Sequence, residues 1–133
     1  MVATKKYTYG LGRRKSATAT ARLYKGKGEI TINDKPALEY LSHNKTYLAE
    51  ITDPLALAGK QKDYDLSILV KGGGLAGQVD AIKLAISKAL VIEAPDLRPM
   101  LKKAGFTSRD PREKERKKYG LRSARRKEQF SKR

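Results

Sequence analysis

The chain has 133 residues, a net charge of +16, one histidine and no cysteine. This length fits one domain with a modest core, and the missing cysteines exclude disulfides, thiolate metal sites and thiol catalysis. Residues 1–28 carry a charge of +8, residues 29–101 carry −2 and residues 102–133 carry +10. Basic ends on a near-neutral middle indicate a polyanionic partner.

No apolar run approaches the ~20 residues needed to span a bilayer, and residues 1–15 lack the apolar stretch of a secretory signal. We therefore expect a cytoplasmic protein with no membrane partner.

The first predicted elements are strands. Residues 16–24 alternate with period two and place the small side chains of Ala17, Ala19 and Ala21 on one face. These alanines leave room for a helix packed on that face. The glycines of residues 25–28 predict a turn, after which we expect the second strand of a hairpin, residues 29–33.

Helical signals follow. Pro36 predicts a short helix that ends near Leu41. Residues 42–63 are ambiguous, although Asp53 and Pro54 resemble a helix start followed by one or two turns.

The second half of the body has clearer patterns. Residues 64–71 alternate as a strand, residues 72–74 are three glycines, and residues 75–94 carry apolar side chains at helical spacing. Pro95 ends that helix, and a further short helix is expected up to Lys103. The order of elements predicts an α+β fold, a two-layer sandwich with a mixed sheet of about four strands and helices on one face.

The C-terminal segment is the strongest functional signal. Residues 102–133 hold 14 Lys and Arg against 4 Asp and Glu, with few large apolar side chains. Such a segment cannot bury enough surface to fold alone, and fully extended it would reach ~100 Å. We expect a globular RNA-binding body in residues 1–104 and an extended basic tail in residues 105–133, ordered only in a ribonucleoprotein.

Part of this tail has helix signals. Asp110 and Glu113 form a capping box, Pro111 occupies the first helical position and Gly120 would end the helix. A helix of this length is not stable alone in water, so we expect it to form only against RNA or another protein.

Residues 72–77 fit the spacing G-x-G-x-x-G of dinucleotide-binding turns. The second parallel strand that this function requires is not predicted. The phosphate-loop alternative fails as well, because Gln78 and Val79 stand where that motif needs Lys and Ser or Thr. The glycines still allow close backbone approach, and the amides of a helix N-terminus bind phosphate, including RNA phosphate.

Residues 7–16 combine Tyr7 and Tyr9 with three consecutive bases between glycines. This pattern is typical of RNA contact, through ring stacking and bidentate phosphate binding, and equally of an edge strand protected by charge. The basic tail in the same chain favours RNA.

Catalytic signals are weak. His43 lies in a polar stretch, and no nucleophile has a base and an orienting group at a suitable spacing. We expect no enzyme activity, no cofactor and no metal.

Four blocks, in order over almost the whole chain, resemble the bacterial family of small-subunit ribosomal protein nine. They are YGLGRRKSA at 9–17, VKGGGLAGQ at 70–78, LR with LKKAGF between 97 and 106, and RD, ERKKYGL, ARR and QFSKR between 109 and 133.

The resemblance implies a structural protein in the head of the small ribosomal subunit, with small-subunit rRNA, P-site tRNA and neighbouring ribosomal proteins as partners. It also implies a βαβ unit with a left-handed crossover. The tail tip, Ser131, Lys132 and Arg133, is implied to contact the tRNA. The candidate rRNA-binding residues are Arg13, Arg14, Lys15, Lys71, Gly72, Gly73, Gly74, Gln78, Arg109, Arg112, Arg116, Lys117, Lys118, Arg122, Arg125, Arg126 and Lys127.

Two departures from the family pattern stand out. Leu11 replaces a usual threonine and removes a hydroxyl, while Asp80 and Lys83 replace a small residue and an arginine. We expect the Asp80 carboxylate to repel phosphate near the start of the helix. A free-standing RNA chaperone or regulatory RNA-binding protein is the alternative, and a nucleotide-dependent enzyme is disfavoured by the residues after Gly77.

Overall fold

The computed structural model describes residues 6–109, 111–112, 116–120 and 122–126. Five strands and four α-helices lie in the body, with a 3-10 turn at Pro95–Leu97. In chain order they are β1 (Thr8–Arg14), β2 (Ala17–Lys25), β3 (Ile30–Ile32), β4 (Lys35–Pro36), α1 (Ala37–Tyr40), α2 (Lys45–Ala58), β5 (Tyr64–Lys71), α3 (Leu75–Glu93) and α4 (Arg98–Lys103).

The strands form one mixed sheet in the order β1-β2-β5-β3-β4, in which β3 and β5 are parallel and the other pairs are antiparallel. The helices lie on one face, where α3 packs against β1 and β2 and α2 packs against α3. This confirms the predicted α+β sandwich. The described residues give five strands rather than about four, because the two-residue β4 pairs with β3.

The predicted hairpin between residues 16–24 and 29–33 is wrong. Strand β2 pairs with β1 and β5, and β5 lies between β2 and β3. The Asp65 carboxylate on β5 accepts hydrogen bonds from the backbone N–H groups of Lys27, Gly28 and Glu29 at 2.9, 2.9 and 3.0 Å. The turn is therefore wrapped around the start of β5, a long-range interaction that local turn signals cannot reveal.

The hairpin in the structure joins β1 to β2. Arg14 and Ala17 are paired, so Lys15 and Ser16 form the turn between them. Lys15 has a φ of 54°, a left-handed conformation that non-glycine residues seldom adopt. Residues 8–14 therefore form an edge strand, which was one of the two interpretations of the basic block at residues 7–16.

The assignment of a helix start at Asp53 and Pro54 is also wrong. Helix α2 begins after Asn44, whose side-chain oxygen accepts hydrogen bonds from the Thr46 and Tyr47 N–H groups. Pro54 lies inside the helix and is buried. Proline is favoured in a first helical turn and disfavoured in a helix interior, so the local pattern pointed to a helix start. In the structure, burial of the neighbouring helix face offsets the hydrogen bond that Pro54 cannot make.

The parallel pair of β3 and β5 is linked through α1 and α2, which makes a βαβ unit. Its left-handed crossover stays a prediction. Asn33 extends the pairing beyond β3: its N–H donates to the Ile68 carbonyl, and its side chain exchanges two hydrogen bonds with the backbone of Val70 at 2.9 and 3.1 Å.

The closest packing in the body joins α3 to β1. A Cβ atom added at Gly10 would lie 2.1 Å from the Ala85 carbonyl oxygen, and one at Gly12 would lie 2.0 Å from the Ala81 carbonyl oxygen. Helix and strand backbones therefore touch directly. The expectation that a helix covers the alanine face of β2 is confirmed, with Ala19 fully buried in the core.

We expect Gly12→Ala to destabilise the body by about 3 kcal/mol, because no flexible side chain can move aside and α3 must shift away from β1. Gly74→Ala is the matched control, since Gly74 has a φ of −87° and nothing within 4 Å of an added Cβ. Urea unfolding followed by circular dichroism measures both. Equal stability of the two variants would contradict close backbone packing.

Candidate nucleic-acid interface

The predicted body cations meet at one end of the sheet. Arg14 is the last residue of β1, Lys15 lies in the following turn, and Lys71 is the last residue of β5 and pairs with Thr18 on β2. We call Arg13, Arg14, Lys15 and Lys71 the cationic end. Arg13, Lys15 and Lys71 are exposed, so the sheet brings distant sequence blocks into one accessible patch.

The glycine segment crosses this end. Gly72 and Gly73 have φ values of 75° and 67°, and a Cβ at Gly72 would lie 2.6 Å from the Ser16 carbonyl oxygen. These two glycines therefore fit the chain against the β1–β2 turn. Gly74 caps α3 without a side-chain hydrogen bond, and all three glycines are exposed. The N-terminus of α3 thus opens toward the cationic end.

Gln78 has an internal role in the structure. Its side-chain N–H donates to the Gly72 carbonyl at 3.0 Å, and its oxygen accepts a hydrogen bond from the Tyr40 hydroxyl at 2.8 Å. The half-buried amide thus holds the glycine segment against the body. Its predicted contact with RNA stays a prediction.

Arg14 joins three parts of the chain. Its side chain is 13% exposed, its Nε lies 3.5 Å from an Asp80 carboxylate oxygen on α3, and its Nη1 donates to the Arg112 carbonyl at 2.9 Å. The expected repulsion of phosphate by Asp80 is thereby reduced, because the carboxylate is paired with a cation. The first residues of the tail are held beside β1.

Tyr7 of the N-terminal block lies apart from the cations of that block. Tyr7 packs near Tyr24, with ring centroids 5.4 Å apart, and the Arg22 guanidinium lies 5.2 Å from the Tyr7 ring centre. Tyr7 precedes Arg13 by six residues, or about 20 Å along a strand at ~3.3 Å per residue. The cationic end and the aromatic cluster of Tyr7 and Tyr24 therefore lie at opposite ends of the sheet.

A buried tyrosine borders this aromatic cluster. Burial, with smaller contributions from Glu93 and Asp63, raises the pKa of Tyr64 above its usual value, so its hydroxyl is neutral at physiological pH.

The tail cations that the structure describes are all exposed to solvent. They are Arg109, Arg112, Arg116, Lys117, Lys118, Arg122, Arg125 and Arg126. The predicted contacts of Lys127, Ser131, Lys132 and Arg133 lie outside the described residues. So do Asp110 and Glu113 of the predicted tail helix, whose described neighbours 111–112 and 116–120 are not helical. The division into a body of residues 1–104 and a tail stays a prediction.

Lys83, noted in the sequence only as a departure from the family pattern, was not predicted to belong to this region. Lys83 on α3 lies beside Phe106, with its ammonium 5.6 Å from the ring centre. Phe106 packs against the core, so contact with the body extends beyond Ala104. No local pattern marks Lys83 as a neighbour of Arg14; only the position of α3 on β1 brings the two together.

Other chemistry has little support in the described part of the chain. His43 is exposed, and the described residues contain no group of three or more His, Cys, Asp or Glu placed to hold a metal ion. Among the helices of these residues, none combines the length and apolar character required to cross a membrane.

The two-layer fold, the cationic end and the basic tail define a small basic protein of the nucleic-acid-binding class. The chain belongs to the family described as "Ribosomal protein S9/S16", whose match covers residues 12–133.

Similar proteins carry matching names. The chain is 51% identical to "Small ribosomal subunit protein uS9" of Crocosphaera subtropica, over 94% of this chain and 91% of that protein. It is 50% identical to the uS9 protein of Desulfovibrio desulfuricans, over 98% and 99%. It is 48% identical to "Small ribosomal subunit protein uS9c" of Emiliania huxleyi, over 99% and 100%. The predicted family is therefore confirmed.

We expect Asp80→Asn to raise affinity for small-subunit rRNA by a few-fold, because the variant removes a negative charge beside the cationic end. The cost in stability should stay below ~1 kcal/mol, since the Asp80 side chain is 49% exposed. Asp53→Asn, on an exposed position of α2, is the control for loss of one acid elsewhere. Filter binding measures both. Weaker binding by Asp80→Asn alone would show that orientation of Arg14 outweighs repulsion.

Proposed function

We propose that this protein is a structural component of the small ribosomal subunit that binds small-subunit rRNA through its cationic end and tail, and contacts P-site tRNA through its tip. Family membership supports a structural, non-enzymatic role in the ribosome, and hence in the cytoplasm, with rRNA and neighbouring ribosomal proteins as partners. It favours this role over that of a free-standing RNA chaperone.

The observation that best supports rRNA binding is that three basic segments meet at one end of the sheet. The end of β1, the end of β5 and the root of the tail converge through the Thr18–Lys71 pairing and the hydrogen bond from Arg14 to Arg112. Exposed lysines and arginines bind RNA largely through phosphates, and binding releases counterions. The N-terminus of α3 at the same end, where Gly74 provides no side-chain cap, adds backbone N–H groups that favour anions.

The tail extends the surface with which the protein can contact RNA. Residues 109–133 contain 12 Lys and Arg, and the described ones are exposed. A cationic segment of this kind contacts several phosphates over a long path, whereas the body covers one patch. The anchoring cations, among them Arg122, Arg125, Arg126 and Lys127, precede the tip in sequence. The tip therefore has a fixed origin from which to contact tRNA.

The first prediction concerns salt dependence. The logarithm of the affinity for rRNA should fall by about 0.7–0.9 per tenfold increase in salt for each phosphate contact. A variant ending at Ser108 keeps the core contact of Phe106 but loses the tail cations, so its slope should be shallower by several contacts. The control, Gly120→Ala with Ser123→Ala, keeps every charge. An unchanged slope after truncation would show that the tail does not bind rRNA.

The second prediction concerns the tip. Deletion of Lys132 and Arg133 removes two phosphate-directed charges, each worth about 1 kcal/mol at a hydrated interface. Together they contribute about 2 kcal/mol, which is too little to prevent assembly but should weaken P-site tRNA binding by up to about thirtyfold, since ~1.4 kcal/mol is tenfold in affinity. Lys102→Ala with Lys103→Ala, on exposed positions of α4, is the control for loss of two charges.

Small subunits purified from the deletion strain provide the measurement, by filter binding of tRNA together with quantification of the incorporated protein. Unchanged tRNA affinity at full incorporation would assign the tip to rRNA alone.

A further inference from the structure

A cavity of about 360 Å³ lies where the tail leaves the body. Residues from β1, α3 and the tail line it, and its cations are Arg13, Arg14, Lys83 and Arg112. This volume is at the small end of the range of about 300–1,000 Å³ for ligand pockets. Its position is set by the close packing of α3 on β1.

Among the lining residues that the structure describes, positive side chains outnumber negative ones. Asp80 is the one acidic residue among the described lining residues, and it is paired with Arg14. Arg13 and Lys83 add two positive charges from two different elements, and Arg112 adds a third from the tail. Such a surplus of positive charge is expected to attract an anion from solvent.

The other lining residues include apolar and polar side chains. Leu84 and Phe106 are apolar, and Ser108 lies on the tail side. The Lys83 ammonium lies over the Phe106 ring, which limits where that cation can reach. Arg14 holds the Arg112 backbone at 2.9 Å, so the tail side of the cavity is attached to the body.

We propose that this pocket binds one backbone phosphate of the RNA, and that the phosphate bridges Arg13 and Lys83 of the body to Arg112 of the tail. The bound phosphate thereby fixes the direction in which the tail departs. Guanidinium groups fit phosphate oxygens through paired hydrogen bonds, and the ammonium of Lys83 supplies a point charge between them. This inference rests on the proposed rRNA binding and specifies one site within it.

Lys83→Gln in the full-length protein tests the proposal, with Lys88→Gln as the matched control on the exposed side of the same helix. Binding to deproteinised small-subunit rRNA is measured as a function of salt. Loss of one contact should make the slope shallower by about 0.7–0.9, so each tenfold increase in salt should lower the affinity of the variant about five- to eightfold less than that of the wild-type protein. Arg13→Gln should do the same relative to Arg98→Gln.

A second readout follows the tail. In the complex with rRNA, trypsin should cleave after Arg109 and Arg112 faster in Lys83→Gln than in Lys88→Gln, because the bridging phosphate is lost. Thermal unfolding of each free variant confirms that the body is folded.

The possible outcomes distinguish a failure of the pocket proposal from a failure of the proposed rRNA binding. If Lys83→Gln and Arg13→Gln match their controls in slope and cleavage while the wild-type protein binds rRNA steeply with salt, the pocket proposal is overturned and rRNA binding stands. If the wild-type protein itself shows no salt-dependent binding, the proposed function fails. If Lys83→Gln binds rRNA normally but is poorly incorporated into subunits, the pocket holds an acidic side chain of a neighbouring protein, which also overturns the proposal.

Discussion

The direct contact between the backbones of α3 and β1 determines where the remaining parts of this protein lie. Only glycine fits at positions 10 and 12, because a Cβ at either position would lie about 2 Å from a helix carbonyl oxygen. Small side chains continue the interface on both sides, with Ala17, Ala19 and Ala21 on β2 and Ala81, Ala85 and Ala89 on α3. Because packed interiors tolerate changes of even one methyl group poorly, this interface fixes the helix in one register.

The register of α3 on β1 determines where the charged side chains of α3 lie. With α3 in contact with β1, Asp80 comes within 3.5 Å of Arg14, and Lys83 faces the same cavity as Arg13. Because the Asp80 side chain is 49% exposed, solvent screens its ion pair with Arg14, and the pair contributes more to geometry than to stability. Stability comes from the apolar layer between sheet and helices, which leaves the surface cations available for a partner.

Much of the fold could be predicted from local patterns. Strand β5 and helix α3 were predicted because their periodicity is regular, and Val79, Ile82, Ile86 and Leu90 are fully buried as the helical spacing requires. The predicted pairing of β2 with β3 was wrong. A glycine turn followed by a strand has the local pattern of a hairpin, whether or not another strand lies between the two. In the structure, the carboxylate of Asp65 on β5 binds the turn at Glu29, although the two residues are 36 positions apart in the sequence.

The candidate site was predicted in part. Charge patterning predicted Arg13, Arg14 and Lys15, since three consecutive bases are visible in the sequence, and the family resemblance added Lys71. It could not predict that Gln78 bonds inward to Tyr40, nor that Lys83 lines the same pocket as Arg112. Both depend on contacts between elements that are distant in sequence.

Site-specific photo-crosslinking in intact small subunits measures directly whether the cationic end faces RNA. A photoreactive amino acid at position 13 samples this end, and one at position 62 samples the opposite end of the sheet, where the exposed Lys62 follows Gln61 beside Gly28. We expect the probe at position 13 to crosslink to small-subunit rRNA much more efficiently than the probe at position 62. Crosslinks from position 13 to protein alone would contradict an RNA-binding role for the cationic end.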